Sequence, residues 1–259
     1  MILSRRISLD EVQLDSLDER IIISGFEEDP VDENFRTVDR YPCGSRITNQ
    51  HISKKKVMVK FQIKVRKGNF TDRNEILEKV SKWARYGHIL KSTTRPNRQI
   101  RVKCTQMQKI SDPRNWLSEY QLTFEAMEKP YWENTTATTK TLAQDDEGTN
   151  TITVPGNTET LAEVSIQNKS GSELNTLELT INGYTMSFSN LGIANNGYLT
   201  IDHTVIKEVE VLRIESGGTT KMANMSGDDE FILVPGENAI SYSAGGDVIV
   251  TVSAKGRYV

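Results

Sequence analysis

The fold is decided by the stretch from Val57 to Arg66, which reads VMVKFQIKVR. Apolar residues occupy every second position from Val57 to Val65, and Lys60, Lys64 and Arg66 lie between or after them. Side chains alternate between the two faces of a β-strand. This pattern therefore predicts a half-buried antiparallel strand with a basic outer face.

A helix is predicted over 71–86, directly after the turn that follows this strand. Its apolar stripe has helical spacing and consists of Ile76, Leu77, Val80, Trp83 and Ala84. Thr71 or Asp72 is the predicted N-cap, with Glu75 completing a capping box after Asp72. Gly87 is predicted to end the helix in a left-handed conformation.

Two further strands are predicted downstream of the helix. The segment 95–98 reads RPNR, which is typical of a turn, and it precedes alternating Ile100, Val102 and Cys104. A last strand runs from Tyr120 to Ala126, and the module ends at Trp132.

Length and charge indicate two domains. Residues 1–135 contain 25 Lys and Arg against 19 Asp and Glu, whereas the remainder contains 7 against 16. We expect an α+β domain over 1–133, a polar linker over 134–150 and a second domain over 151–259. Short alternating runs separated by turns such as Asn182-Gly183 predict that the second domain is an antiparallel β-sandwich or jelly roll. The predicted fold is therefore mainly β with one helix.

The segment 27–50 is poor in apolar residues. Phe35, Val38 and Tyr41 are among the few it contains, so it cannot build a core of its own. Such a segment is either disordered or an arm that becomes ordered against a neighbour, and we favour the arm.

Motifs for catalysis or metal binding are not found. Cys43 and Cys104 lack zinc-ligand spacing and are predicted to be free thiols, and the three histidines are scattered along the sequence. The acidic loop 227–230 matches no EF-hand. We therefore predict a protein that is not an enzyme and that has no metal and no cofactor. The absence of a long apolar run predicts no secretory signal and no membrane insertion.

Two binding surfaces remain as candidates. A basic patch is predicted from residues on neighbouring elements, namely Lys54, Lys55, Lys56, Arg95, Arg98, Arg101 and Lys103. It could contact nucleic acid, although a solvated or subunit-facing surface is the favoured interpretation. In the second domain Tyr184, Tyr198 and Tyr242 could stack on sugars, but a packed strand position is favoured for each.

The order of these parts resembles the distal tail protein (Dit) family of siphophage-type bacteriophages. The resemblance depends on the short amino-terminal strands, the segment 27–50, the strand 56–66, the helix ending in WARYG at 83–87, and the closing YQLTF (120–124) and KPYW (129–132). It implies a galectin-like second domain.

The resemblance also implies a function. The chain would form a homo-hexameric ring at the virion tail tip, assembled in the host cytoplasm, that joins the tail tube protein to the hub or baseplate and encloses the channel for DNA. Phe35, Val38 and Tyr41 would anchor the arm on the next subunit. The second domain could hold a receptor-binding protein or a surface glycan. A carbohydrate-binding module for host adhesion is the alternative function, and a hydrolase is a third.

Overall fold

The computed structural model describes residues 6–29, 33–36, 40–41, 44–45, 49–52, 55–66, 68–127, 131–143, 150–206 and 209–259. They form two compact units, one within residues 1–132 together with Val259 and the other within 133–258. No helix in these ranges is long and apolar enough to cross a membrane.

The amino-terminal unit combines strands with one long helix. Its elements are β1 (Ile7–Leu9), β2 (Val12–Gln13), a 3-10 turn (Leu14–Ser16), β3 (Ile21–Glu28), β4 (Glu33–Arg36), β5 (Arg40–Tyr41), β6 (Gly44–Ser45), β7 (Asn49–Ile52), β8 (Lys56–Lys64), α1 (Phe70–Tyr86), β9 (Ile89–Ser92), β10 (Arg98–Arg114) and β11 (Leu117–Ala126).

An antiparallel sheet organises this unit, with the strand order β2-β1-β9-β10-β11-β8-β3. The strand predicted from Val57 onward is confirmed as β8, whose apolar side chains are buried at every second position. It pairs with β11 in unbroken register, so that Phe61 lies opposite Tyr120 and their rings stack 5.6 Å apart. Helix α1 packs on the same face, where Trp83 meets the edge of Phe124 at 6.3 Å.

The helix ends at Tyr86, before Gly87, as predicted, but its predicted N-cap and the predicted conformation of Gly87 require correction. The N-cap is Asn69, whose side chain accepts a hydrogen bond from the Asp72 amide at 3.3 Å, so the helix begins at Phe70. Gly87 is not left-handed, because its φ is −83°. A Cβ atom at this position would lie 2.5 Å from Cβ of Leu9. Glycine is needed here because β1 approaches closely, and not because the chain turns.

From Trp132 onward the structure is made of strands and one 3-10 turn (Met222–Asn224). The strands are β12 (Trp132–Asn134), β13 (Thr138–Leu142), β14 (Thr151–Val154), β15 (Thr160–Leu161), β16 (Glu163–Asn168), β17 (Leu177–Ile181), β18 (Tyr184–Phe188), β19 (Tyr198–Ile206), β20 (Val209–Ser216), β21 (Thr219–Thr220), β22 (Met225–Gly227), β23 (Ile232–Leu233), β24 (Gly236–Ala244), β25 (Val248–Ala254) and β26 (Arg257–Tyr258).

The second unit contains two larger antiparallel sheets, β13-β25-β16-β19-β20-β21 and β14-β24-β17-β18-β22. Buried apolar side chains from both sheets form one core, as in a sandwich. The predicted mainly β fold with one helix is thus confirmed. The tight turn between β17 and β18 has positive φ at Asn182 (52°) and Gly183 (88°), as a two-residue hairpin requires.

The predicted linker 134–150 is wrong for part of its length. Thr138–Leu142 forms β13 and pairs with β25, and Leu142 is fully buried in the sandwich core. Only one large apolar residue is needed to anchor this short border strand, and the threonines around it suit a pleated surface. Polar composition alone therefore does not distinguish this strand from a linker.

Candidate functional site

The segment predicted as an arm contains two pairs of short antiparallel strands among its described residues. Strand β4 pairs with β7, with Phe35 opposite Gln50, and β5 pairs with β6, with Tyr41 opposite Gly44. We call the strands 33–36, 40–41, 44–45 and 49–52 together the arm hairpin. The side chains of Phe35 and Tyr41, and all of Val38, lie outside the described residues, so their role as subunit anchors stays a prediction.

The predicted start of the arm at residue 27 is wrong. Strand β3 continues to Glu28, pairing Glu27 with Met58 and Glu28 with Val57. A register shift near Ser24 puts Phe26 and Glu28 opposite the core-facing Val59 and Val57. The bulge therefore turns Glu28 toward the interior, which the acidic composition of 27–29 conceals.

Four donor groups converge on the Glu28 carboxylate at the base of the arm hairpin. Arg95 donates from Nε to Oε1 at 3.0 Å and from Nη2 to Oε2 at 3.2 Å. The indole Nε1 of Trp132 donates to Oε2 at 3.0 Å, and Nζ of Lys55 lies 3.1 Å from the same oxygen. We call Glu28, Lys55, Arg95 and Trp132 the clamp.

The ion pair between Lys55 and Glu28 in the clamp is largely buried. The side chain of Lys55 is 3% exposed and that of Glu28 is 14% exposed. Burial by itself raises the pKa of Glu28, but the hydrogen bonds from Arg95 and Lys55 outweigh it and hold that pKa below its ordinary value. Glu28 therefore carries its charge in the folded protein at neutral pH.

The structure divides the predicted basic patch. Lys55 and Arg95 belong to the clamp, so the prediction is wrong for these two because their charges are directed at Glu28. Lys56, Arg101 and Lys103 are exposed, Arg98 is half-buried, and Lys54 lies outside the described residues. Glu125 stands between Lys56 and Lys103 in the strand register. Any contact of these exposed residues with nucleic acid stays a prediction.

The outer face of β3, β8, β11 and β10 is polar. Glu119 accepts hydrogen bonds from Ser24 at 3.2 Å, from Gln62 at 3.4 Å and from Ser111 at 3.3 Å. Lys60 lies 2.6 Å from Glu27 on the same face. Around Glu119 this face therefore combines amide and hydroxyl groups with the Glu27–Lys60 ion pair.

A second exposed feature is the far end of the hairpin formed by β10 and β11. The pairing of β10 with β9 stops at Arg101, and the side chains of residues 105–110 are exposed. Met107 and Ile110 are among them, and Trp116 at the turn is 43% exposed beneath the Arg114 guanidinium at 5.5 Å. Aromatic residues, Met and Arg are enriched at protein–protein interfaces relative to the rest of the surface. This surface is not predicted from the sequence, because the alternation of apolar residues ends near Cys104 whereas the strand continues to Arg114.

The candidate sites of the second unit are mostly structural. Tyr184 and Tyr242 are partly buried against the core, whereas Tyr198 is 51% exposed. In the acidic loop 227–230, the Asp228 carboxylate accepts a hydrogen bond from the Thr185 amide at 2.6 Å. The described ranges contain no group of three or more His, Cys, Asp or Glu that could hold a metal ion.

No family model and no curated protein matches this sequence. Among solved structures, the phage SPP1 Dit protein, described as a paradigm of the hub adsorption apparatus in phages that infect Gram-positive hosts, is similar with a TM-score of 0.68. The two chains are 13% identical, and the match covers 97% of this chain and 98% of that one. A chain of the phage p2 baseplate, in its activated conformation with Sr, has a TM-score of 0.44 at 9% identity, covering 97% of each chain. The resemblance to distal tail proteins is thus confirmed for the fold.

Proposed function

We propose that this chain, which has the fold of a Dit protein along both of its units, is a structural component of a phage tail tip. The single observation that carries the proposal is the match to SPP1 Dit, because it covers nearly the whole of both chains at a TM-score of 0.68. Shared architecture over two dissimilar units in the same order is more specific than a shared single domain.

In this proposal the amino-terminal units of six copies form a closed ring. A ring needs a heterologous contact, in which two different surfaces of one copy meet on neighbouring copies. The arm hairpin supplies one such surface. The exposed end of the β10–β11 hairpin, with Met107, Ile110 and Trp116, supplies the other.

The ring joins the tail tube protein to the hub or baseplate and encloses the path of the DNA. The outer face is assigned to the channel wall because, around Glu119, it carries hydrogen-bonded hydroxyl and amide groups and the Glu27–Lys60 pair. Such a polar surface would retain DNA less than a strongly basic one. The proposed location is the virion tail tip. The proposed role is architectural and requires no catalysis.

Removing the arm hairpin tests this function. A variant in which residues 31–53 are replaced by a short Gly-Ser linker retains Glu28 and Lys55 and so preserves the clamp. We expect negative-stain images of the full chain to contain six-fold rings, and images of the deletion variant to contain single subunits with unchanged thermal unfolding. Rings in the deletion variant would remove the arm hairpin from the assembly.

Glycan binding by the second unit is the second candidate. Tyr198 supports it as an exposed aromatic side chain on a strand, because sugars stack on such rings. If the unit binds sugar, we expect immobilised host cell-wall polysaccharide to retain the full chain. We expect Tyr198→Ala to lose this retention and Tyr184→Phe to keep it. Elution of all three proteins in the void volume, without retention, would reject glycan binding by this unit.

A further inference from the structure

We infer that the clamp positions the arm hairpin for assembly, with Glu28, Lys55, Arg95 and Trp132 acting as positioning residues. The inference builds on the proposed function, in which the arm hairpin contacts the next copy. The arm hairpin makes the contact between copies. Four residues outside it determine where the hairpin leaves the body of the subunit.

The clamp lies where the chain enters and leaves the segment that contains the arm hairpin. Glu28 is the last residue of β3 and Lys55 directly precedes β8, so the two residues border the segment that contains the arm hairpin. The Asp29 amide donates to the Lys56 carbonyl at 3.0 Å, and the Ala126 amide donates to the Lys55 carbonyl at 2.9 Å. Backbone and side chains thus fix both ends of the segment at the same point.

The residues that bind Glu28 are held by different elements of the amino-terminal unit. Arg95 lies in the turn after β9, where its own amide and carbonyl bond to Ser92 and Arg98 at 3.0 and 3.2 Å. Trp132 follows β11 and packs against Phe26, with the ring centroids 6.3 Å apart. Several independent supports therefore restrain the Glu28 carboxylate, as in a pre-organised site.

The clamp is a buried ion pair with directional hydrogen bonds. A buried ion pair often stabilises a fold no better than apolar groups of the same size, because both charges lose their hydration. What directional bonds add is a fixed geometry, and the fork of Arg95 is suited to this since it holds both carboxylate oxygens. Clamp residues therefore serve orientation more than stability.

The neighbouring pair of Glu27 and Lys60 provides a matched control. It has the same chemistry and a separation of 2.6 Å, and it lies one residue away on β3. Glu27 is half exposed, so its pair is screened by water and can move. Substituting Glu27 changes the charge of the same strand without touching the clamp.

The test measures where the arm hairpin lies relative to the body. Spin labels are placed at positions 34 and 103 of the full chain, in a background where Cys43 and Cys104 are serine, and their distance distribution is recorded by pulsed EPR in dilute solution. We expect a narrow distribution for the parent and for Glu27→Gln. We expect a distribution about twofold broader for Glu28→Leu/Lys55→Met, because a site without its supporting bonds loses its defined geometry.

Each outcome has a defined meaning. Equal widths in the parent and in Glu28→Leu/Lys55→Met overturn the inference. If that double variant does not fold, Arg95→Met serves instead, since Arg95 is partly exposed and its loss leaves the Glu28–Lys55 pair in place; an unchanged width there also overturns it. A narrow parent that never forms rings contradicts the proposed function but supports the clamp. A broad double variant that forms rings as readily as the parent overturns the role of the clamp in assembly.

Discussion

The Nζ atom of Lys55 lies 3.1 Å from Oε2 of Glu28, and these two residues border the segment that carries the arm hairpin. Lysine is seldom buried unless its charge is paired. Here the ion pair joins the two residues that border the segment. The desolvation of both charges therefore falls at the point where the geometry of the segment matters most to the proposed ring.

Loss of the Glu28 charge is expected to destabilise the amino-terminal unit. Glu28→Gln leaves Lys55 and Arg95 without their anion, and breaking a buried pair on one side costs about 3–5 kcal/mol of unfolding free energy. Glu27→Gln, which affects an exposed pair, is expected to cost less than about 1 kcal/mol. Urea unfolding of the full chain, followed by tryptophan fluorescence, compares the two variants. Equal midpoints would contradict the structural account of the clamp.

Stability is expected to fall in acid. The pKa values of Glu28 and of Asp18 are both lowered in the folded state, the first by Arg95 and Lys55 against the effect of burial and the second chiefly by Arg20. A lowered folded-state pKa gives stability that is complete above the pKa of the unfolded chain and is lost as the pH falls through the folded value. The loss is therefore expected below about pH 5.

The same measurement in Glu28→Gln separates the two carboxyl groups. The variant has no titrating group at position 28, so its unfolding midpoint is expected to change less between neutral and acidic pH than that of the parent. The dependence that remains includes Asp18. Identical pH profiles for parent and variant would mean that the Glu28 carboxyl contributes nothing to acid lability.

The indole nitrogen of Trp132 is expected to matter separately from its ring. Trp132→Phe retains an aromatic group next to Phe26 but removes the donor to Glu28, and a hydrogen bond to a charged group is worth about 1.5–3 kcal/mol. Trp132→Ala also opens a cavity and is expected to cost about 3–5 kcal/mol. Chemical unfolding of both variants tests this order, which a reversed or equal pair of costs would refute.

The close approach of Gly87 to Leu9 predicts a coupled pair of substitutions. Gly87→Ala introduces a methyl group where Cβ of Leu9 lies only 2.5 Å away, and such overpacking costs about 1–3 kcal/mol. In a Leu9→Ala background the obstructing side chain is shorter, although its Cβ stays. The penalty of Gly87→Ala is therefore expected to be smaller there, and a double-mutant cycle measures the difference. Strict additivity would argue against the contact.

Trp116 is expected to affect assembly without affecting folding. It is exposed at the tip of the β10–β11 hairpin, so Trp116→Ala should change the unfolding free energy by less than about 0.5 kcal/mol. Sedimentation velocity should nevertheless detect fewer rings, because exposed tryptophans are frequent interface hot spots. Tyr86→Ala, an exposed aromatic at the end of α1, is the control and should assemble normally. Equal loss in both variants would indicate a general surface effect.

Much of the fold follows from local pattern. The alternation in β8 and the apolar stripe of α1 predict those elements because each has one buried face. The hairpin turn at Asn182-Gly183 is also predicted from the sequence, since few residue pairs adopt positive φ at two successive positions. These features depend on neighbours in sequence, which the chain itself supplies.

The clamp could not be predicted in the same way. Glu28 follows Glu27 and precedes Asp29, so the sequence alone indicates a solvated acidic run. Its inward direction results from the register shift near Ser24, and its partners come from positions 55, 95 and 132. Lys55 lies in the basic run 54–56, which likewise indicates surface charge. Only the tertiary pairing of strands brings these groups together.

The mass of the purified full chain, measured by light scattering over a range of concentrations, tests the central claim most directly. The account predicts a species of six times the 29.2 kDa chain mass that persists on dilution to the micromolar range. A mass of 29.2 kDa at every concentration, with no larger species at the highest, would contradict the ring.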